Sequence, residues 1–418
     1  MEELFLDLNK QGINEIDQTQ IDFKDIETAK SEWALLAPVI AELFSEVKHT
    51  GGIIDSPLYP AENLYDEIDS ELTNRVFLKG DHQLPIAGSI KARGGIYAVF
   101  KHAINLAEEN GYTLKGNYKW LVTDEASELF EKYYLEVGST GNLALSIGIS
   151  GSVLGFKVRV HMSDDAKEWK KKLLRSKGVE VIEYEGDYEK AIATGREESK
   201  KNPKSIFIDD ENSKLLFLGY STAAFYLEKQ LQGLNLLDEG IPPIFVYLPC
   251  GVGGAPGGIA YGMKYIFGEK VFPLVVEPEN AIAVSKALFE ENNREYLLSP
   301  GSGDFILKTG DGRTVADGLA VRNPSPLVME STGNLFAGGY ILDDDEILNS
   351  MALLSELENL KVEPSAASGI KGPKLVNRVL KENGYENLAA EAIHIVWLTG
   401  GSMLPEDDWQ SYYDSAKK

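Results

Sequence analysis

The sequence predicts an α/β fold made of two domains, with parallel-rich twisted sheets covered by helices. Two observations indicate this class. Short apolar runs alternate with segments of helical periodicity, and the run 244–248 is bounded by Pro243 and Pro249, as is typical of a buried parallel strand. The chain has 418 residues, a length greater than one compact core usually holds. Of these residues, 43% are hydrophobic and 25% are charged, the balance of an ordinary folded protein.

The individual elements follow from the same patterns. Residues 1–75 are expected to be largely helical, because Trp33–Val47 carries apolar residues at helical spacing. Val76–Lys79 is predicted to be a strand, and the glycine-rich stretch 291–340 is expected to form functional loops. Further strands are predicted at 135–137, 157–161, 179–184, 206–209, 274–277 and 394–398. Helices are predicted over 89–106, 164–178 and 220–232, and a further helix follows the turn at Gly138 and ends at residue 148.

Composition excludes several classes of function. The net charge of −24, from 41 basic and 65 acidic residues, disfavours a nucleic-acid or anionic-membrane partner. The single cysteine excludes an internal disulfide, and the five histidines form no H-E-x-x-H zinc motif. The acidic start Met1–Glu3 is unlike a signal peptide, and the longest apolar stretch, 143–156, is too short to cross a bilayer. We therefore expect a cytoplasmic enzyme.

A lysine near a predicted helix start is the first candidate for chemistry. Lys91 lies in the segment 88–95, GSIKARGG, where Ser89 suits the cap position of the helix. A partly desolvated lysine near a helix N-terminus would have a lowered pKa, and its amine could form a Schiff base. An ordinary surface lysine is the alternative that these eight residues leave open.

A strand end followed by small polar residues is the second candidate. The segment 136–143, EVGSTGNL, turns from a strand into a helix, and the N–H groups of a helix start suit a carboxylate or a phosphate. Ser139, Thr140 and Asn142 could add side-chain hydrogen bonds. A capped helix start without a ligand is the alternative.

The third candidate is a glycine-rich loop after a buried strand. Five glycines occur in residues 251–258, and such a loop can bind a phosphate through its N–H groups. A dinucleotide fingerprint started at Gly251 fails at Pro256, and no G-K-[ST] of a P-loop follows. Glu277, which ends a later strand, keeps a nicotinamide alternative open. A fourth and weaker signal is Thr399, which precedes Gly400 and Gly401 at another strand end.

In this order, the four segments resemble the tryptophan-synthase-β-like family of pyridoxal-phosphate enzymes (fold type II). The shared pattern is a lysine motif of S-x-K-x-R type, a Ser-x-Gly-Asn loop, a glycine-rich phosphate loop and a late Ser/Thr-Gly-Gly. Residues 81–95, 138–143, 209–213 and 317–321 are similar to the bacterial D-serine dehydratase branch. Leu143 favours that branch, because L-serine and L-threonine dehydratases usually have histidine there. The similarity covers about residue 50 to the C-terminus.

The resemblance implies a role for each candidate residue. Lys91 would hold pyridoxal 5′-phosphate as a Schiff base, Asn142 would hydrogen-bond the 3′-oxygen of its ring, and Thr399 would meet the pyridine nitrogen. The phosphate would be bound by backbone N–H groups of the loop residues Gly251, Val252, Gly253 and Gly254. The carboxylate of an amino-acid substrate would be bound by Ser139, Thr140 and Gly141.

The resemblance also implies a reaction. A neutral hydroxyl at Thr399 does not hold the pyridine nitrogen fully protonated, so the ring is a weaker electron sink and loss of the β-hydroxyl competes better. The expected reaction is the α,β-elimination of D-serine through aminoacrylate to pyruvate and ammonia. The base that removes the Cα proton stays open between Lys91 and Thr140. We favour Lys91, because a bare threonine hydroxyl is a poor base.

The resemblance further implies an architecture. A large domain, 1–115 plus 211–418, would contain the cofactor lysine and the phosphate loop, and a small domain, 116–210, would carry the Ser-Thr-Gly-Asn loop. The cofactor would lie in the interdomain cleft. The bacterial branch implies a monomer. Dehydratases of this fold often use a monovalent cation such as K⁺, for which Glu277 is the candidate ligand.

Other functions remain open on the sequence alone. The nearest is a dehydratase or racemase of another β-hydroxy amino acid, such as D-threonine, L-serine or L-threonine. A nicotinamide oxidoreductase built on the loop at Gly251 and a non-catalytic binding module are more remote. Neither of these two would require Lys91.

Overall fold

The computed structural model describes residues 3–9, 21–139, 141–164, 166–185, 188–291, 296–298 and 310–417. Within these ranges strands and helices alternate, as the sequence predicts. The strands described there are β1 (Glu3–Leu6), β2 (Leu58–Pro60), β3 (Val76–Lys79), β4 (Tyr134–Gly138), β5 (Lys157–Ser163), β6 (Glu180–Tyr184), β7 (Ser205–Ile208), β8 (Ile244–Pro249), β9 (Val271–Pro278), β10 (Leu297–Leu298), β11 (Gly338–Leu342) and β12 (Ile393–Trp397).

The α-helices connect these strands and cover them. In the same described ranges they are α1 (Phe23–Leu43), α2 (Glu62–Ile68), α3 (Lys91–Glu109), α4 (Asp124–Phe130), α5 (Asn142–Leu154), α6 (Glu168–Ser176), α7 (Tyr188–Lys200), α8 (Lys214–Ser221), α9 (Ala223–Gly233), α10 (Gly254–Phe267), α11 (Val284–Glu291), α12 (Pro326–Thr332), α13 (Asp344–Glu358), α14 (Pro364–Ala367), α15 (Gly372–Glu382), α16 (Glu386–Glu391) and α17 (Glu406–Ala416). None of these helices is long and apolar enough to cross a membrane.

The chain divides into two compact units. The large-sheet unit comprises 1–23, 56–83 and 223–418, and the small-sheet unit comprises 24–55 and 84–222. The predicted small domain, 116–210, contains all strands of the second sheet, but the compact unit around that sheet is wider because α3 packs against α5 and α8. Lys91 therefore shares a compact unit with the loop at 139–142. The domain boundaries themselves stay a prediction.

The large-sheet unit is built on eight strands in the order β10-β1-β11-β9-β8-β12-β3-β2. The central pairs, from β11 to β3, are parallel, and the pairs that β1 and β2 form at the two sides are antiparallel. Strands β8, β9 and β12 are buried along their whole length, as apolar parallel strands covered on both faces must be. The predicted parallel-rich α/β class is confirmed.

The small-sheet unit is built on four parallel strands in the order β6-β5-β4-β7. Strand β4 runs directly into the loop at 139–142, and the next element is α5. The carboxyl end of β4 is a central position in this sheet. Open parallel sheets bind ligands at this edge.

Three predictions about elements are wrong. Residues 1–75 are not only helical, since they contain the strands β1 and β2. The helix predicted over 220–232 is two helices, α8 and α9, which meet at Thr222. The predicted loop region 291–340 contains α12 and the start of β11, whereas 292–295 and 299–309 lie outside the described residues.

Candidate active site

Lys91 is the first residue of α3, and the residue at the cap position is Ile90 rather than the predicted Ser89. Its side chain is 21% exposed, and its Nζ lies 3.1 Å from Oδ2 of Asp210. The same Nζ lies 5.6 Å from the centre of the Tyr220 ring. Burial alone would lower the pKa of Lys91, but the Asp210 carboxylate and the Tyr220 hydroxyl outweigh it, so this pKa is raised. The predicted lowering is therefore wrong, because an anion faces the amine.

Two adjacent glycines after Lys91 allow side chains of other helices to pack closely against α3. A Cβ built on Gly94 would lie 2.4 Å from Cζ of Tyr220, and one built on Gly95 would lie 2.3 Å from Oγ of Ser146. Ser146 in turn donates from its Oγ to the carbonyl oxygen of Lys91 at 2.9 Å. A larger side chain at either glycine would push these neighbours away. The two glycines therefore hold α5 and α8 against the first turn of α3.

The loop at 139–142 lies between β4 and α5. Ser139 is buried, its N–H donates to the carbonyl of His161 at 3.1 Å, and its Oγ accepts from the N–H of Gly141 at 3.2 Å. Helix α5 begins at Asn142, and the residue before it, Gly141, has no side chain that could cap the helix. A helix start without a side-chain cap suits an anion. Thr140 lies outside the described residues.

A buried polar chain crosses the small sheet beneath this loop. His161 on β5 is hydrogen-bonded to Glu136 of β4 at 2.8 Å and to Tyr184 of β6 at 2.7 Å. Ser205 of β7 donates to the other oxygen of Glu136 at 2.7 Å. Since one polar group from each strand takes part, the chain ties all four strands together where the loop begins. No local sequence motif marks these hydrogen bonds, because the four residues lie on four separate strands.

The glycine-rich loop belongs to the large-sheet unit, between β8 and α10. Gly253 has a φ of +101°, a conformation that favours glycine, and it is the cap of the 14-residue helix α10. A Cβ built on Gly251 would lie 3.0 Å from the carbonyl oxygen of Gly318. The N–H of Ser325 fixes the loop from outside by donating to the carbonyl of Val252 at 2.7 Å. A tight glycine loop that opens a long helix fits a phosphate group.

Thr399 lies at the same edge of the large sheet as this loop. It follows β12, which pairs in parallel with β8 so that Val396 lies opposite Tyr247. Thr399 comes three residues after Val396, and Cys250 comes three residues after Tyr247. Cys250 directly precedes Gly251. Thr399 is 8% exposed. Thr399 and the glycine-rich loop therefore lie at the same edge of the large sheet.

Glu277 is buried at the end of β9. Its Oε1 accepts from the N–H groups of Ala283 and Val284 at 3.0 and 2.9 Å, and its Oε2 accepts from that of Ser285 at 2.8 Å. Burial raises the pKa of Glu277, although these hydrogen bonds oppose the shift. The carboxylate thus caps the start of α11. No cluster of three metal-ligating side chains occurs among the described residues.

Sequence reasoning missed Asp210 and Tyr220. Asp210 lies in the segment 209–213, which the resemblance includes without assigning Asp210 a role; its side chain is only 12% exposed and faces Lys91. Tyr220 is fully buried on α8. Tyr220 is brought to Lys91 by the packing of α8 on α3, and Asp210 lies between β7 and α8. Neither residue has a local sequence signal that singles it out.

Most of the chain matches a known family. Residues 49–384 match the family model described as "Pyridoxal-phosphate dependent enzyme". The chain belongs to this family. Its relatives include proteins named "Probable D-serine dehydratase" from Carboxydothermus hydrogenoformans, 47% identical over 94% of this chain and 90% of the relative, and from Geobacillus kaustophilus, 44% identical over 93% and 89%. The predicted resemblance is confirmed.

Solved structures of the same kind share the fold. Diaminopropionate ammonia lyase from Escherichia coli, solved in complex with D-serine, has a TM-score of 0.74 at 15% identity and covers 99% of this chain and 97% of its own. Threonine deaminase isoform 2 from Solanum lycopersicum has a TM-score of 0.67 at 18% identity, with the same coverage. At these identities the likeness shows the fold alone, and it confirms the predicted fold of a pyridoxal-phosphate enzyme.

Proposed function

We propose that the protein is a pyridoxal-phosphate-dependent ammonia-lyase that converts D-serine into pyruvate and ammonia. The observation that carries the proposal is Lys91, a partly buried lysine at the start of α3 whose amine is bound to Asp210. The names of relatives that are 43–47% identical over nearly the whole chain support D-serine as the substrate.

The cofactor, when bound, supplies an electron sink for the Cα of an amino acid. We propose that Lys91 holds it covalently and that residues 251–254 bind its phosphate, for which the tight loop at the start of α10 is suited. Asn142 and Thr399 would orient the ring by hydrogen bonds. Thr399 is neutral, which would favour loss of the β-hydroxyl.

The substrate carboxylate would be bound at Ser139 and Gly141, beside the uncapped start of α5. Thr140 belongs to the same proposed site. The hydroxyl of Ser139 already accepts from the N–H of Gly141, so it is oriented within the loop. This keeps its own proton available for a carboxylate oxygen.

We propose Lys91 as the group that takes the Cα proton. Because Asp210 raises the pKa of Lys91, its neutral amine is a stronger base than an isolated one, and the ammonium formed by proton uptake is stabilised at 3.1 Å. The same ammonium can then protonate the departing hydroxyl. Near-normal turnover in Thr140→Ala would support this assignment, and loss of turnover with the cofactor still bound would favour Thr140.

The experiment that tests the proposed function is a substrate profile of the cofactor-loaded protein. Pyruvate should form from D-serine, with much less from L-serine, and 2-oxobutyrate formation from D-threonine should be slower. Lys91→Ala is the control and should form neither product. A protein that binds the cofactor yet is faster on D-threonine, or on an L-amino acid, would overturn the choice of substrate and keep the reaction class.

A monovalent cation near Glu277 remains a proposal. The three N–H groups that bind this carboxylate account for its burial without a cation, so the cation would have to share its oxygens. Turnover measured with K⁺, Na⁺ or a bulky organic cation should be highest with K⁺. Equal rates with all three would contradict a cation site.

We also propose that the enzyme is a cytoplasmic monomer, as the bacterial branch implies. Its one cysteine, Cys250, is buried and is not suited to a disulfide. Light scattering of the loaded protein should give the mass of one chain, 46.0 kDa. A mass of two chains would contradict the monomer.

A further inference from the structure

A buried lysine lies beside the loop at 139–142. Lys170 is in the first turn of α6, a helix that packs against α5, and only 2% of the residue is exposed. Burial of an ammonium is unfavourable unless an anion or strong acceptors are close. The groups that the amine of Lys170 faces therefore decide what its charge can do.

The amine of Lys170 points to the start of α5. A Cβ built on Gly141, the residue that precedes α5, would lie 3.9 Å from Nζ of Lys170. The ammonium is thus next to the loop in which we place the substrate carboxylate. Its charge adds to the positive potential of the helix N-terminus, and in a partly buried site this attraction is screened only weakly.

The next residue, Lys171, is an equally buried lysine on the same helix, but its amine faces another way. It is 1% exposed, and its Nζ donates to the carbonyl of Asp164 at 2.7 Å and to the carboxylates of Glu168 and Glu183 at 2.9 and 2.7 Å. These contacts fasten α6 to β6. Lys171 therefore faces the strand, whereas Lys170 faces the loop.

We propose that Lys170 supplies the positive charge that selects substrates with an α-carboxylate. Backbone N–H groups and hydroxyls of the loop bind the carboxylate oxygens, and the Lys170 ammonium balances their charge. The inference rests on the proposed function and deepens it, because it makes Lys170 a specificity residue for amino acids over simple amines.

The test compares two ligands that differ only in the carboxylate. D-alanine has no β-hydroxyl and cannot undergo the elimination, and ethylamine is the same molecule without its carboxylate. Binding of each is measured by the change in the cofactor absorbance of the loaded protein. Lys170→Met should weaken D-alanine binding about 10- to 100-fold, the loss expected for one hydrogen bond or ion pair to a charged group, and should leave ethylamine binding unchanged.

Matched variants separate charge from packing. Lys171→Met removes the neighbouring buried ammonium. It should leave the ratio of D-alanine to ethylamine affinity unchanged. Lys170→Arg keeps the charge and should restore most of the preference. If Lys170→Met does not retain the cofactor, Lys170→Gln takes its place in the same comparison. Equal weakening of both ligands, or unchanged D-alanine binding, would overturn the role of Lys170.

The outcome is independent of whether D-serine is the substrate. A wild-type protein that makes no pyruvate from D-serine would refute the proposed function, while the ratio of D-alanine to ethylamine binding would still report on Lys170. A wild-type protein that binds both ligands equally would refute the carboxylate site itself.

Discussion

Asp210→Asn is the substitution that most directly tests how Lys91 is tuned. It removes the negative charge at 3.1 Å from Nζ and keeps the size of the side chain. Two unit charges at that distance attract by roughly 5 kcal/mol at an effective dielectric constant of about 20. The side chains are 12% and 21% exposed, so desolvation and water offset most of this attraction.

About 1.5–3 kcal/mol then remains, the usual net value of a hydrogen bond between charged groups. Loss of that amount in the step that protonates Lys91 corresponds to a roughly 10- to 150-fold fall in kcat/KM. The assay is pyruvate formation from D-serine by the loaded protein. Cofactor absorbance is recorded in parallel, so that a loss of binding is not mistaken for a loss of turnover.

Asp209→Asn is the matched control. Asp209 is adjacent in the chain, but its carboxylate pairs with Arg196 at 2.7 Å. We expect this variant to keep most of the turnover. Equal losses in the two variants would show that the turn as a whole matters, and wild-type turnover in Asp210→Asn would refute the tuning of Lys91 by Asp210.

Two further predictions follow from the large-sheet unit. Gly253→Ala should weaken cofactor binding, because the φ of Gly253 is +101° and a Cβ there would lie 3.1 Å from Val328. Gly240→Ala is the control, since Gly240 has a similar φ of +105° but open space around it. Equal cofactor affinity in the two variants would contradict the argument. Burial lowers the pKa of His82 to about 4 and that of His394 to about 3. Below pH ~6.5 the unfolded chain therefore binds protons that the folded chain does not, and the free energy of unfolding should fall by about 1.4 kcal/mol per histidine for each pH unit down towards pH 4. Urea unfolding of the cofactor-free protein at pH 7 and pH 5 measures this fall, and equal midpoints would contradict it.

The bounds of a helix or strand could be predicted from the sequence where neighbouring residues determine them. Strand β3 is confirmed at both ends, Val76 and Lys79, because four apolar or amphipathic residues are followed by a glycine and an acid. The predicted start of α3 at Ser89 is two residues early. Helix α5 continues to Leu154, beyond the predicted end at residue 148, because Gly155 at φ +99° is the residue that ends it.

Elements and contacts could not be predicted from the sequence where the interacting residues are distant in the chain. Strand β1 was missed because it is defined by antiparallel pairing with β10 and β11, which lie far away in the sequence. Asp210 is 119 positions from Lys91, and only the fold brings the two together. The raised pKa of Lys91 follows from this contact, so a prediction based on desolvation and the helix start had the wrong sign.

The most direct test of the central claim is to identify the lysine that carries the cofactor. The loaded protein is reduced with borohydride and digested, and the peptides are analysed by mass spectrometry. The account predicts a phosphopyridoxyl group on Lys91 and no label in Lys91→Ala. A label on another lysine, or no stable label on the wild-type protein, would contradict it.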